Sequence, residues 1–278
     1  MKKHPAFHRT ELLIGPEAMA RLADTRVILF GTGGVGSWCA EALIRSGVGH
    51  LTIVDSDVIC VTNVNRQLQA TAGNIGKSKV EALKARLLDI HPAADVTALQ
   101  KVYTQGTREE FNLAGYDYII DAIDSLSHKV DLIAAAMELG VALFSAMGAA
   151  CKLDATTIRV DSIWKTRGCK LAKFVRKRLR NYGVTGDCLC VYSQEFLPPK
   201  FESETACGSA NCFCPKQFDE DGNEIPADVW CNQKAQINGS MVHMTGAFGF
   251  NLAGLVVQDV VRKTPASDGS ASSAGGKP

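Results

Sequence analysis

The chain has 278 residues, with 30 Lys and Arg against 29 Asp and Glu, a formal net charge of +1, and 46% hydrophobic residues. This composition is typical of a soluble globular protein. The near-zero net charge excludes a nucleic-acid-binding protein that is basic over its whole surface, so any attraction to nucleic acid has to come from a local patch. The ten cysteines, with no apolar segment after Met1-Lys2-Lys3, predict a reducing cytoplasmic compartment with free or metal-bound thiols.

Apolar strand segments alternate with amphipathic helices after a helical lead-in near 16–23. The predicted strands are 26–30, 50–55, 95–102, 116–123, 141–147 and 155–163, and the predicted helices are 37–47, 76–92, a short one near 107–114, and 126–140. This alternation predicts an α/β fold, Rossmann-like, in which a mostly parallel sheet is flanked by helices and joined by right-handed crossovers.

The whole of 1–264 is predicted to be a single domain. Its nucleotide-binding core spans about 25–163, a basic and Cys-rich segment about 165–235, and an apolar closing helix 241–263. The closing segment carries Asn251, Gln258 and Asp259, which favours a buried helix over a membrane span. The low-complexity tail 265–278 is predicted to be disordered.

A glycine turn, GTGGVG at 31–36, follows the first strand and opens a helix. In that context, Gly31 permits the tight turn, Gly33 the close approach of a phosphate and Gly36 the packing of helix on strand. Asp55 ends the second strand, where a carboxylate can accept hydrogen bonds from ribose hydroxyls. These features predict a nucleotide site but leave NAD, FAD and ATP open.

A second cluster, Asn63-Val64-Asn65-Arg66-Gln67, follows the second strand, and Lys79 comes thirteen residues after Arg66. Arg and Lys suit the β- and γ-phosphates of a triphosphate, and Asp124 after the fourth strand suits Mg²⁺. The alternative is that these are solvated surface charges. For Asp121, a structural role at the strand end and a chemical role both stay open.

Four segments in this order resemble the E1-like adenylating superfamily: GTGGVG, LTIVDSDVICVTNVNRQ, GKSKVEAL and DAIDS, within about 15–148. The resemblance implies a homodimer that binds ATP and Mg²⁺, with Asp55 on the ribose and catalytic roles for Arg66, Lys79, Asp124 and, from the partner subunit, Arg9. Further implied ATP contacts are Gly31, Gly33, Gly34, Gly36, Asp57, Asn63, Asn65, Gln67 and Ser125.

Within the superfamily, the sequence is most similar to the tRNA threonylcarbamoyladenosine dehydratase group. The matching stretches are AFHRTELLIG at the start, VTNVNRQLQA, LDATTIRV at 153–160 and VYSQEFLPP at 191–199. This resemblance implies ATP-dependent ring closure on modified adenosine 37 of tRNA through an acyl adenylate. The alternatives are adenylation of a ubiquitin-like sulfur carrier, with a cysteine desulfurase as partner, a non-catalytic RNA-binding module, and an NAD oxidoreductase.

The basic stretch 165–183 contains no acid, and a helix is predicted over 169–181. Its cations suit tRNA phosphates, and the alternative is a solvated helix face; the candidates are Lys173, Arg176, Lys177, Arg178 and Arg180.

Six cysteines follow between 188 and 231, with spacings that match zinc knuckles poorly. Reduced thiols are expected, with a structural metal or a nucleophile as alternatives.

Overall fold

The computed structural model describes residues 5–198, 222–223 and 238–265. Within them, seven strands form one sheet in the order β3-β2-β1-β4-β5-β7-β6. The strands are β1 Arg26–Phe30, β2 His50–Val54, β3 Asp95–Leu99, β4 Tyr118–Asp121, β5 Ala142–Ala146, β6 Ile158–Ser162 and β7 Leu189–Ser193. The α-helices are α1 His8–Ile14, α2 Pro16–Asp24, α3 Gly36–Arg45, α4 Lys79–Ile90, α5 Leu126–Leu139, α6 Lys170–Asn181 and α7 Val242–Lys263.

The mostly parallel sheet predicted from the sequence is confirmed, and all six predicted strands are present. A seventh strand, β7, was not predicted. It lies between β5 and β6, parallel to the first and antiparallel to the second. Its sequence LCVYS is short and sits among cysteines and charged residues, so its apolar character is visible only once its neighbours in the sheet are known.

The central strand β1 is buried from both sides, as expected for a parallel sheet covered by helices. Val27 and Leu29 point into the core that includes α3, α4 and α7, and Ile28 and Phe30 point into the core that includes α5 and α6. Because successive side chains of a strand alternate between faces, four residues of β1 contribute to the two cores, two to each. This strand therefore fixes where the chain leaves the sheet and enters the glycine turn.

The closing helix α7 has the length and composition of a membrane span, with a mean hydropathy of 1.3, and 61% of that apolar window is buried inside the protein. It packs on α3 and α2. Asp259 on this helix accepts a hydrogen bond from the Tyr118 hydroxyl at 2.8 Å and pairs with Lys263 at 2.6 Å. The predicted buried closing helix is thus present.

The described residues leave several expectations untested. The cysteines at 207, 212, 214 and 231 and most of the C-terminal tail lie outside them. The single-domain organisation over 1–264 stays a prediction.

A buried ion pair links β4 to α5. The Lys129 ammonium lies 2.6 Å from Asp121 Oδ2, both side chains are fully buried, and Ser145 donates to the same carboxylate oxygen at 2.5 Å. Lys129 also donates to the carbonyl oxygen of Ala146 at 2.9 Å, and the Asp121 Oδ1 accepts the Ile123 N–H. These contacts favour a structural role for Asp121 over a chemical one.

We expect Lys129→Met to lower the free energy of unfolding by about 3–5 kcal/mol, because it leaves the Asp121 carboxylate buried without its counter-charge. Urea denaturation measures the change. The matched control is Lys101→Met in the exposed Lys101–Glu110 pair, for which the expected loss is below about 1 kcal/mol. Adding Asp121→Asn to Lys129→Met should recover stability; equal losses for Lys129→Met and Lys101→Met would contradict this account of the ion pair.

Candidate functional site

The predicted site residues converge at the carboxyl ends of three neighbouring strands. The glycine turn follows β1, Asp55 follows β2, and Asp124 follows β4. The chain order reverses between β1 and β4, and this point of an open α/β sheet forms a crevice that binds ligands.

The glycine turn packs its backbone against the end of β4. Gly31 has a left-handed φ of 88°, and a Cβ there would lie 2.7 Å from the carbonyl oxygen of Ala122. A Cβ on Gly36 would lie 1.8 Å from the carbonyl oxygen of Gly31. Side chains are therefore excluded, so the amino-terminal end of α3 presents backbone N–H groups at the crevice, an arrangement that favours an anion.

The Asp55 carboxylate holds the glycine turn in place. One of its oxygens accepts hydrogen bonds from the Thr32 backbone N–H at 2.7 Å and from the Thr32 hydroxyl at 3.1 Å. The other oxygen accepts the backbone N–H of Asp57 at 2.9 Å. A carboxylate has about four acceptor positions, so Asp55 keeps capacity for a further donor such as a ribose hydroxyl.

Lys79 begins α4, and its side chain is almost fully buried. Its ammonium donates to Asp57 Oδ2 at 2.6 Å and lies 4.0 Å from Asp55 Oδ1. Burial opposes the charged form, but the charges of Asp55 and Asp57 outweigh it and raise the pKa of Lys79 above its usual value. The site therefore contains a charged, nearly water-free ammonium.

Arg66 lies over the glycine turn. Its Nη1 donates to the carbonyl oxygen of Thr62 at 2.8 Å and to Asn65 Oδ1 at 2.9 Å, and its own carbonyl oxygen accepts the Trp38 indole N–H at 3.0 Å. A Cβ on Gly34 would lie 3.2 Å from Arg66 Cγ. Burial lowers the pKa of the Arg66 guanidinium, while the charges of Cys60 and Asp124 act in the opposite direction.

The amides of the second cluster differ in their contacts. Asn63 is buried, and its Oδ1 accepts the Cys60 backbone N–H at 3.0 Å, which stabilises the loop. Asn65 Nδ2 donates to the carbonyl oxygen of Ser240, just before α7. Gln67 is also buried, next to Gly33, and its Oε1 has no hydrogen-bond partner within the described part of the chain. This oxygen is free to accept a donor from a ligand.

Sequence reasoning missed Gln69, which is 2% exposed. Its Nε2 donates to the carbonyl oxygen of Thr32 at 2.8 Å, and its Oε1 lacks a partner among the described residues. The available signal was a second amide two residues after Gln67, since Leu68 lies between the two amides and Ala70 follows. Trp38 and Thr32, which tie the turn to Arg66 and Asp55, carry no such signal because their contacts join distant segments.

Asp124 and Ser125 complete the crevice at the start of α5, where Ser125 is the N-cap residue. Asp124 is exposed; its charge contributes to the raised pKa of Lys79 and offsets part of the lowering that burial imposes on the pKa of Arg66. The structure thus brings two cations and three carboxylates together. Among residues 5–198, 222–223 and 238–265, no group of three or more His, Cys, Asp or Glu side chains could hold a metal ion.

Arg9 lies on α1, away from the packed core. It is exposed and has no hydrogen bond or ion pair within the described residues. None of the residues of α1 is buried, and Leu12 and Leu13 are 73% and 84% exposed. Within the described residues of a single chain, Arg9 therefore makes no hydrogen bond or ion pair with the other site residues.

The predicted basic helix is present as α6, which buries Ala172, Val175 and Leu179. Its cations divide between two clefts. Arg176 and Arg180 line a cleft of about 700 Å³, and Lys177 and Arg178 line a second cleft of about 420 Å³. Lys173 is exposed and lines neither.

Two of the six clustered cysteines are described. Cys188 and Cys190 are free and buried, and their sulfur atoms lie 3.8 Å apart at β7. Burial raises the pKa of the Cys190 thiol well above its usual value. Both therefore have the properties of reduced core thiols, and the other four lie outside the described residues.

Residues 7–264 match the model of the ThiF family. The tRNA threonylcarbamoyladenosine dehydratase of Bacillus subtilis is 43% identical over 189 residues, covering 68% of this chain and 74% of that protein, and that of Haemophilus influenzae is 34% identical, covering 90% and 91%. The crystal structure of the Escherichia coli dehydratase with AMP aligns with a TM-score of 0.77 at 32% identity, covering 93% of this chain and 94% of that one. The glycine turn, the charged cluster at the carboxyl ends of β2, β1 and β4, and these matches together show that the chain belongs to the ThiF family.

Proposed function

We propose that this protein is a cytoplasmic enzyme that uses ATP to dehydrate N6-threonylcarbamoyladenosine at position 37 of tRNA to its cyclic form. The observation that carries the proposal is the convergence of Arg66, Lys79 and Asp124 on the glycine turn. It occurs in a fold that matches E. coli tRNA N6-threonylcarbamoyladenosine dehydratase, which has been solved with AMP and with ATP.

The reaction has two steps. The threonyl carboxylate attacks the α-phosphate of ATP, so that an acyl adenylate forms and pyrophosphate leaves. The carbamoyl group then attacks the activated carbonyl and loses a proton, the ring closes, and AMP leaves with the oxygen that would otherwise form water. Both steps need positioning and compensation of phosphate charge, which this site supplies without a covalent enzyme intermediate.

The contacts within the site suit a nucleoside triphosphate. Arg66 presents a partly desolvated guanidinium beside the turn, and Lys79 a buried ammonium, so both favour phosphate oxygens. The unpaired Oε1 of Gln67 can accept a hydrogen bond from the nucleotide, and Asp55 retains acceptor capacity for the ribose. Gly34 lets Arg66 pack closely on the turn, since a Cβ there would lie 3.2 Å from Arg66 Cγ.

Charge balance supports a requirement for Mg²⁺. The five ionised groups of the site carry one more negative than positive charge, so they do not neutralise a triphosphate by themselves. Mg²⁺ is commonly held by one or two carboxylates together with substrate phosphates and water. Asp124, exposed at the mouth of the crevice, is the residue that would hold it, and the ion would offset phosphate charge there.

The substrate is tested by pyrophosphate release. We expect the chain, with ATP and Mg²⁺, to release pyrophosphate when given threonylcarbamoyl-modified tRNA, and mass spectrometry of the digested tRNA should show the loss of one water. Unmodified tRNA is the control, because it lacks the carboxylate. Release only with a Gly-Gly-ended carrier protein would instead favour adenylation of a sulfur carrier and its sulfur-transfer partner.

A homodimer in which Arg9 reaches the partner subunit's site forms part of the proposal. The support is α1, which buries none of its own residues and exposes Leu12 and Leu13 beside Arg9. Exposed leucines on a short helix are an expected interface element. Such an interface would explain why Arg9 is exposed and has no polar partner among the described residues of a single chain.

We expect Arg9→Ala and Arg66→Ala each to abolish pyrophosphate release, and a mixture of the two, refolded together, to recover about a quarter of it. Half of the dimers then contain one chain of each kind, and one of their two sites has both arginines. Arg45→Ala serves as the control, since Glu41 keeps its second partner Arg86. Failure of the mixture to recover any activity would place Arg9 outside the partner's site.

Contact with tRNA through α6 is the third part of the proposal, with Lys173, Arg176, Lys177, Arg178 and Arg180 on phosphates. We expect Lys177→Gln with Arg178→Gln to reduce the slope of log affinity against log salt by about 0.7–0.9 per lost phosphate contact. Filter binding over a salt series measures it. The control is Lys84→Gln with Lys101→Gln, the same charge change at the opposite edge of the sheet; an unchanged slope for the α6 pair would count against this surface.

A further inference from the structure

The second cleft of α6 lies beside the nucleotide site. It is lined by Leu126, Phe174, Lys177, Arg178 and Asn181 and has a volume of about 420 Å³. The four α6 residues recur at spacings of three and four, so they share one side of the helix. Leu126 begins α5, two residues after Asp124.

The Phe174 ring is 52% exposed on a helix whose core contacts are made by other residues. Cations lie over the rings of two nearby aromatic residues: Lys170 over Phe196 and Arg180 over Trp164. Within the described residues, no ring or cation is placed over Phe174. A single exposed apolar side chain is common, so the inference depends on what surrounds this one.

Phe174 shares its cleft with two cations and with the first residue of α5. Lys177 and Arg178 stand on the same side of the helix, and no acid is among the described residues that line the cleft. Arg178 Nη1 donates to Ser127 Oγ at 2.9 Å, which connects α6 to the first turn of α5, directly after Asp124 and Ser125. The cleft therefore combines a flat apolar face and positive charge with closeness to the expected site of carboxylate activation.

The first cleft of α6 is less suited to a base. Its aromatic residue, Trp164, already has the Arg180 guanidinium 5.5 Å from its ring centre, and its indole N–H donates to the carbonyl oxygen of Gly186 at 2.8 Å. Four cations line it beside Asp161, so it can attract phosphate, but its aromatic ring already has a cation beside it. The Trp164 ring is therefore less available for stacking than the Phe174 ring of the second cleft.

We infer that Phe174 stacks on an unpaired base of the tRNA loop that carries the modified adenosine, while Lys177 and Arg178 contact the adjoining phosphate. Proteins recognise RNA loops in this way, because unpaired bases expose their faces to aromatic side chains and paired bases do not. The inference rests on the proposed function, and it names which part of the RNA the cleft takes.

The test uses the full chain and an RNA stem-loop of the anticodon-arm sequence, with 2-aminopurine placed in turn at each loop position. We expect one position to be quenched on binding to wild type and to Phe174→Tyr, and the quench to be lost with Phe174→Leu. Loss of stacking should weaken binding on the order of tenfold. A duplex RNA of the same length should bind wild type and Phe174→Leu equally, because its bases cannot reach the ring.

Two results would overturn the inference. One is equal quenching and affinity for wild type and Phe174→Leu. The other is a change of oligomeric state in Phe174→Leu, seen by light scattering, which would assign the ring to a subunit interface. Both leave the proposed function standing if wild type releases pyrophosphate with modified tRNA, whereas absence of that release contradicts the proposed function whatever Phe174 does.

Discussion

The buried charge of Lys79 constrains the arrangement of the whole site. An ammonium removed from water costs several kcal/mol unless it is paired, and its place at the start of α4 is further opposed by the helix dipole. Asp55 and Asp57 offset both costs only when the segment after β2 lies against α4. Because Asp55 also holds Thr32, the same requirement fixes the glycine turn. Contacts within the protein therefore shape the crevice.

The two cations of the site are held in different ways, and this difference separates their roles. The charge of Lys79 is matched by carboxylates at 2.6 and 4.0 Å, whereas the hydrogen bonds of Arg66 go to the neutral oxygens of Thr62 and Asn65. A guanidinium held by neutral acceptors keeps its charge available to a ligand. In the proposed reaction, Arg66 would thus respond to charge that develops on the phosphates, and Lys79 would add a fixed positive charge while its pairs with Asp55 and Asp57 preserve the shape of the site.

Local patterns in the sequence were sufficient to predict six of the seven strands described, the glycine turn and the basic helix, since each depends on neighbouring residues. What the sequence could not supply depends on contacts between distant segments. β7 is recognisable as a strand through its pairing with β5 and β6, and the role of Asp121 becomes clear only through Lys129 and Ser145. Likewise, spacing predicted a basic face on α6, but the division of its cations between two clefts results from packing against α5 and against residues 163–165.

The first turn of α5 links the two halves of the proposed reaction. On one side it follows Asp124 and Ser125 at the nucleotide crevice, and on the other it is hydrogen-bonded to α6 through Ser127 and Arg178. A carboxylate on an RNA base can attack an α-phosphate only if the RNA is held within a few ångströms of the nucleotide, and misplacement by about 1 Å can cost about a hundredfold in rate. A cleft that shares a helix terminus with the crevice meets this requirement, because any movement of α5 shifts both together. Charge on α6 at a distance from α5 would attract tRNA without positioning its reacting group.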